Sequence, residues 1–258
     1  MHNKSHMLRI VLKMFLVFFS LTLPLNAAQP GPAVPGNITI NLDGANGKQT
    51  MSVPVQILLF LTLLTFIPAI LISLTCFTRI VVVFHFLRQA LGTGETPSNQ
   101  VMIGLTLFLT LFIMSPVVDQ INQQALQPMT AGTITQAEAL SKGVKPLRDF
   151  MMKYTREKDL ALFLSIAQKS RPRNPDDIPT MLMIPAFMIS ELKTAFQIGF
   201  VLFLPFLIID MVTATVLLSM GMMQLPPIMV SMPFKILLFI MVDGWNLVVG
   251  SLVKSFYV

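Results

Sequence analysis

Residues 55–75 read VQILLFLTLLTFIPAILISLT, with no charge anywhere in the run. A helix needs about 20 consecutive apolar residues to cross the hydrocarbon core of a bilayer, and this run supplies them. Outward from it the chain keeps the same character. Of its 258 residues 54% are apolar and only 12% are charged, against about 25% charged in an ordinary soluble domain. The first apolar segment extends from 53 to 90, past Arg79, His85 and Arg88. Others lie at 101–118, at 181–219 with Pro185 and Pro205 inside, and at 228–253. These lengths predict an all-α chain of polytopic, membrane-type helical hairpins. The two prolines predict breaks in the third segment.

The polar segments divide the chain. MHNKSHMLRIVLK carries Lys4, Arg9 and Lys13 ahead of the apolar MFLVFFSLTLPL, and NAAQ follows. A basic start, a short apolar core and small residues describe a secretory signal. Residues 1–28 are therefore expected to be a cleavable signal peptide, cut at Ala27 or Ala28. Pro24 and the short apolar core argue against a permanent first span. Residues 29–50 are rich in Pro, Gly and Asn and are expected to form a flexible exported tail. Residues 51–118 then make a first hydrophobic hairpin, and 181–258 a second, with a Met-rich turn. Between them, 119–180 is polar and contains an amphipathic helical pattern. An exported N-terminus places that region outside the cytoplasm. Its surplus of basic residues runs against the positive-inside rule, which weakens for loops of about 60 residues.

Charges inside apolar segments are costly, by about 2.5–3.5 kcal/mol each at a helix centre. Glu191, Lys193, Asp210, Lys235 and Asp243 lie within or at the edges of such segments. Glu191 and Lys193, two apart, do not face each other on a helix. Lys235 and Asp243 are about 12 Å apart along a helix axis. Glu191, Lys235, Asp210 and Asp243 are therefore expected to find partners on another helix or another subunit, with Glu191 pairing Lys235 between hairpins or neighbouring copies. Snorkelling toward the interface is the alternative for Lys235 and Glu191. Small residues at Ala186, Ser190 and Thr194, and at Ala195 and Gly199, favour close helix approach.

Several function classes find no support. The net charge of +6 is spread out, with no basic stripe, so nucleic acid is not expected as a partner. There is no phosphate loop, zinc spacing or nucleophile elbow, and His85 stands alone between Phe84 and Phe86. No enzyme activity, catalytic residue, cofactor or metal is expected. Cys76, the single cysteine, reads as a packed small residue. The intramembrane charges leave a small-solute or ion transporter as an alternative, although no internal repeat accompanies them.

Five blocks carry a resemblance. They are LTCFTRIVVVFHFLRQALGTGETPSNQV from Leu74, LTLFIMSPVVDQI from Leu109, SELKTAFQIGFVLFLPFLIIDMV from Ser190, MGMMQLPP from Met220, and PFKILLFIMVDGWNLVVGSLVKSF from Pro233. Together they resemble the FliP family, the flagellar branch of the FliP/SctR group of type III secretion export-gate proteins. The likeness runs from about Ser52 to the C-terminus, and the signal sequence favours the flagellar branch.

The resemblance implies a core subunit of the flagellar protein export gate. It would be a multi-pass protein of the bacterial inner membrane and the flagellar basal body. Copies would form a pentamer-like helical ring with FliQ and FliR, working with FlhB and FlhA. The ring's pore would pass unfolded flagellar subunits. The hairpins would be raised out of the usual bilayer plane and buried against neighbours. The resemblance also implies a methionine gasket across the pore in the 220–227 turn, matched here by Met222 and Met223. Gln224 stands where many members carry a third methionine. Packing of the hairpin turn is the plainer reading of the same methionines.

Overall fold

The structure is a computed structural model that describes residues 53–168, 174, 177–222 and 224–257. The expected signal peptide, its cleavage site at Ala27 and Ala28, and the 29–50 tail lie outside the described residues. Eight α-helices follow in order: α1 (Val53–Leu74), α2 (Phe77–Leu91), α3 (Asn99–Ile121), α4 (Gln136–Tyr154), α5 (Glu157–Ile166), α6 (Thr180–Ser219), α7 (Pro227–Met241) and α8 (Gly244–Tyr257). α3 runs on through a π-helical turn, Asn122–Leu126, into a last turn, Gln127–Thr130. The described elements are thus all helical, and residues from Leu59 onward pack as one unit. Three helical stretches are long and apolar enough to cross a membrane: Ile57–Leu74, Asn99–Thr130 and Thr180–Ser219. α7 and α8 make a fourth if taken as one span bent by 65°.

The bounds differ from those expected in three places. The apolar run 53–90 is two helices, because the chain bends at Thr75 and Cys76. There the Thr75 hydroxyl accepts the Phe77 backbone N–H (3.4 Å), a local bond that competes with the helical ladder. The run 228–253 is likewise interrupted, at Val242 and Asp243. Pro185 and Pro205, expected to break the third segment, are carried inside one continuous 40-residue helix. In an apolar helix with packed neighbours the carbonyls freed by proline can be satisfied otherwise, so proline need not end it.

α2 is the centre of the body. Ile80, Val83, Phe84, Leu87 and Ala90 are fully buried, at the helical spacing that lines one broad face. That face lies chiefly on α6, with α3 and α7 beside it. Gly199 makes the α2–α6 approach possible, since a Cβ built there would come within 2.5 Å of the Phe86 ring. Gly92, at φ +73°, ends α2 by donating its N–H to Gln89 (3.1 Å), a conformation glycine takes at little cost.

The polar region forms α4 and α5, a helix pair broken at Thr155 and Arg156. Thr135 and Glu138 build a capping box at the start of α4, each satisfying the other's backbone N–H. Behind it Phe150, Tyr154, Phe187 and Phe256 stack into one aromatic cluster, with ring centroids 5.0–6.4 Å apart. The cluster joins α4, α6 and the end of α8.

Candidate gate turn and its ion-pair framework

α6 ends in a way its sequence explains. Gly221 has φ +75°. Its N–H bonds Leu218 (3.0 Å), and the next N–H, of Met222, reaches back to Leu217 (3.0 Å). This paired closure satisfies the helix's last carbonyls and requires a left-handed residue, here glycine. Pro226 then caps α7, and Pro227 occupies its first turn, where a missing N–H costs nothing. The turn is thus set by one glycine and two prolines. On it, and on the first turn of α7, Met220 (66%), Met222 (43%), Leu225, Ile228 and Met229 (70%) are exposed. Gln224 is exposed as well, and Met223 lies outside the described residues. In this chain those three methionines do not fill the hairpin's own core. They form an apolar tip of unbranched, polarizable side chains.

Two ion pairs frame the hairpin behind the tip, one buried and one partly open to solvent. Near the start of α2, Arg79 forks onto Glu191 of α6: its Nε donates to Oε2 at 2.9 Å and its Nη2 to Oε1. The side chains are 3% and 0% exposed. Arg79 Nη1 also donates to the Ser255 hydroxyl (3.0 Å), and the guanidinium lies 3.8 Å from the Phe256 ring centroid. A planar five-donor group can meet a carboxylate, a hydroxyl and an aromatic face together, and lysine cannot. Tyr154 adds a bond from its hydroxyl to the Phe256 carbonyl.

Near the other end of α2, Lys235 of α7 donates to Asp210 of α6 (2.6 Å) and to the Ala90 carbonyl (3.1 Å). The Ser231 hydroxyl donates to the second Asp210 oxygen. The Ala90 carbonyl belongs to the last turn of α2, where a cation is favoured by the helix dipole. A third cluster joins α5 to α6. Lys193 and the Ser190 hydroxyl both donate to Asp159, while the Arg156 backbone N–H donates to Ser190 (3.0 Å). Burial pushes the Asp159 carboxyl up, but these bonds and the nearby charges of Lys193 and Arg156 outweigh it and hold the group below its ordinary value.

The expected Glu191–Lys235 pair does not form within the chain. Glu191 is taken by Arg79 and Lys235 by Asp210. The physical reason is separation along the hairpin: Glu191 sits against Arg79 and Lys235 against Ala90, positions about 16 Å apart along α2 at helical rise. Neither residue snorkels, since both are buried. Asp243 is not drawn into an ion pair among the described residues. It is exposed at the α7–α8 break, with φ +51°, and accepts a bond from the Asn246 side chain (3.1 Å). His85 is exposed, Cys76 is a buried free thiol, and no metal-holding group of three or more His, Cys, Asp or Glu occurs among the described residues. Arg79, Asp159 and Ser231 were missed as partners. Arg79 carried a signal: it falls four residues before Val83 and eight before Leu87, on the buried stripe of α2.

The FliP family's sequence profile matches residues 59–252. The chain belongs to the FliP family. The matched range takes in the tip, the Arg79–Glu191 and Asp210–Lys235 pairs and most of every helix. A "Flagellar biosynthetic protein FliP" of Bacillus subtilis (strain 168) is 55% identical over 220 residues, covering 85% of this chain and all of the relative. Proteins with the same description from Pectobacterium carotovorum subsp. carotovorum and Aquifex aeolicus (strain VF5) are each 50% identical, covering 87% and 81% of this chain and 86% and 89% of theirs. As a FliP-family chain with three long apolar helices, it is a membrane protein.

Proposed function

We propose that this chain is a core subunit of the flagellar type III protein export gate in the bacterial inner membrane. Copies of it assemble with FliQ and FliR at the basal body into a pentamer-like ring, in concert with FlhB and FlhA. The ring passes unfolded flagellar subunits, and the turn bearing Met222, Met223 and Gln224 seals it at rest. Membership of a family whose relatives are described as flagellar biosynthetic proteins supports the flagellar setting. The observation that carries the gate reading is the exposed methionine tip. A symmetric ring of such turns would present flexible thioethers to one another. Methionine repacks around irregular shapes, so it can close on itself and then yield to an extended polypeptide. Stiffer branched side chains would yield less, and charged ones would wet the pore.

The apolar surface fits an assembling subunit. The far half of α6 exposes Phe200, Val201, Leu204, Leu207, Ile208, Met211, Val212 and Val216, a surface larger than a monomer in water tolerates. Neighbouring copies and lipid share its cover. A solute transporter draws on free intramembrane charges, whereas Glu191 and Lys235 are committed to ion pairs. The discriminating experiment is the native mass and subunit composition of the detergent-extracted particle. Several copies bound to other export components are expected, and a lone monomer or dimer would sink the ring.

A further inference from the structure

We propose that Asp210, Lys235 and the Ala90 carbonyl form an openable latch that sets the resting position of the methionine-bearing turn, with the Val242–Asp243 break as its hinge. The proposal rests on the gate reading above.

Few buried side chains hold α7. Its 15 residues bury only Ser231, Lys235 and Phe239, a single stripe at four-residue spacing. Phe234, Leu237, Ile240 and Met241 on its other faces are exposed. Phe239 sits in the last turn of α7, before the break: it packs edge-on to Trp245 (centroids 5.5 Å) and meets Phe206 of α6 (6.5 Å), and a Cβ on Gly244 would fall 2.2 Å from its ring. It therefore anchors the hinge and leaves the rest of the helix to be held elsewhere. The other two buried residues of α7 both end on one carboxylate, Asp210.

The two ends of the α7–α8 pair are held differently. α8 is tied by Arg79 to Ser255 and by Tyr154 to the Phe256 carbonyl, behind an Arg79–Glu191 pair that solvent does not reach. The Asp210 side chain remains 22% exposed beside a Lys235 that is 2% exposed. Water, a neighbouring chain or a passing polypeptide can compete for Asp210 and cannot compete for Glu191. The break supplies the pivot, with a left-handed Asp243 and a 65° change of direction. Lys235 lies about 12 Å along α7 from its first residue, so a small rotation at the hinge is magnified at the turn. The Lys235 bond to the Ala90 carbonyl at the end of α2 defines the closed stop.

Asp210→Asn keeps the shape and removes the charge that Lys235 needs, while leaving Met222 and Met223 intact. The expected result is an export particle of unchanged native mass whose membranes conduct ions severalfold more at rest, with Asp210→Glu returning conductance toward the parent. A residue with a merely structural role would lower particle yield and leave conductance per particle unchanged, and that outcome overturns the latch. Should Asp210→Asn fail to assemble, the pair Asp210→Cys with Ser231→Cys decides. Their parent side chains touch, and one protein can be compared oxidised and reduced. Oxidation is expected to silence the leak and halt export, and reduction to restore both; equal behaviour in the two states overturns the proposal. Met222→Ala with Met223→Ala runs in parallel. A leak there without one in Asp210→Asn removes the latch and leaves the gate, whereas no leak in either removes the gate and the latch with it.

Discussion

Glu191 shows what a buried charge demands of its surroundings. Its carboxylate is sealed from solvent and satisfied by two nitrogens of one guanidinium. Taking away either partner leaves the other charged, buried and alone, which costs about 3–5 kcal/mol. Glu191→Ala and Arg79→Ala are therefore each expected to lower the thermal midpoint of the detergent-solubilised protein strongly. The double variant should lose less than the sum, because the orphaned charge is gone. Arg79→Lys should behave nearly as badly as alanine, since an ammonium cannot hold Glu191, Ser255 and the Phe256 face at once. Additive losses in the double variant would mean that the pair contributes little.

At the scale of elements, the contact of α2 with α6 rests on one missing side chain. Gly199 faces the Phe86 ring at a distance that leaves no room for a methyl group, and the Phe86 ring is itself fixed against Phe196 at 5.2 Å. Gly199→Ala is expected to destabilise by about 1–3 kcal/mol through overpacking, read as a fall in the same thermal midpoint. Gly199→Leu should yield no folded protein. An unshifted Gly199→Ala would show that the helices have slack there. The spacing of Ala195 and Gly199 already pointed to close helix approach, so this contact was legible in the residues, as were the helical class and the long apolar spans. Three things were not. The bend at Thr75 and Cys76 depends on a local hydroxyl bond inside an apolar run. The persistence of α6 through Pro185 and Pro205 depends on neighbours. The partner of Glu191 lies 112 residues away in the chain, and pairing by opposite charge in adjacent helices selected Lys235 instead. Periodicity reports which face a residue occupies and is silent on which helix lies opposite.

In the whole molecule, the start of α2 is clamped to α6 by the Arg79–Glu191 pair, the end of α2 accepts Lys235 of the α6–α7 pair at the Ala90 carbonyl, α4 and α5 pack on α6, and the α6–α7 turn leaves Met220 and Met222 exposed. That arrangement leaves one end of the hairpin buried and the other partly open to solvent, which suits the seal proposed above. Gly221 and the Pro226–Pro227 pair fix the shape of the turn, so in the proposed gate sealing would depend on the methionine side chains themselves. Met222→Leu with Met223→Leu should keep most of the seal while slowing export, since volume is retained and flexibility is lost. Gln224→Met should tighten the seal without blocking passage. The most direct test is resting ion conductance measured together with export of flagellar subunits in cells carrying Met222→Ala and Met223→Ala. A fully assembled particle that leaks ions while still exporting is the predicted result; a fully assembled particle with parental conductance would contradict the gate.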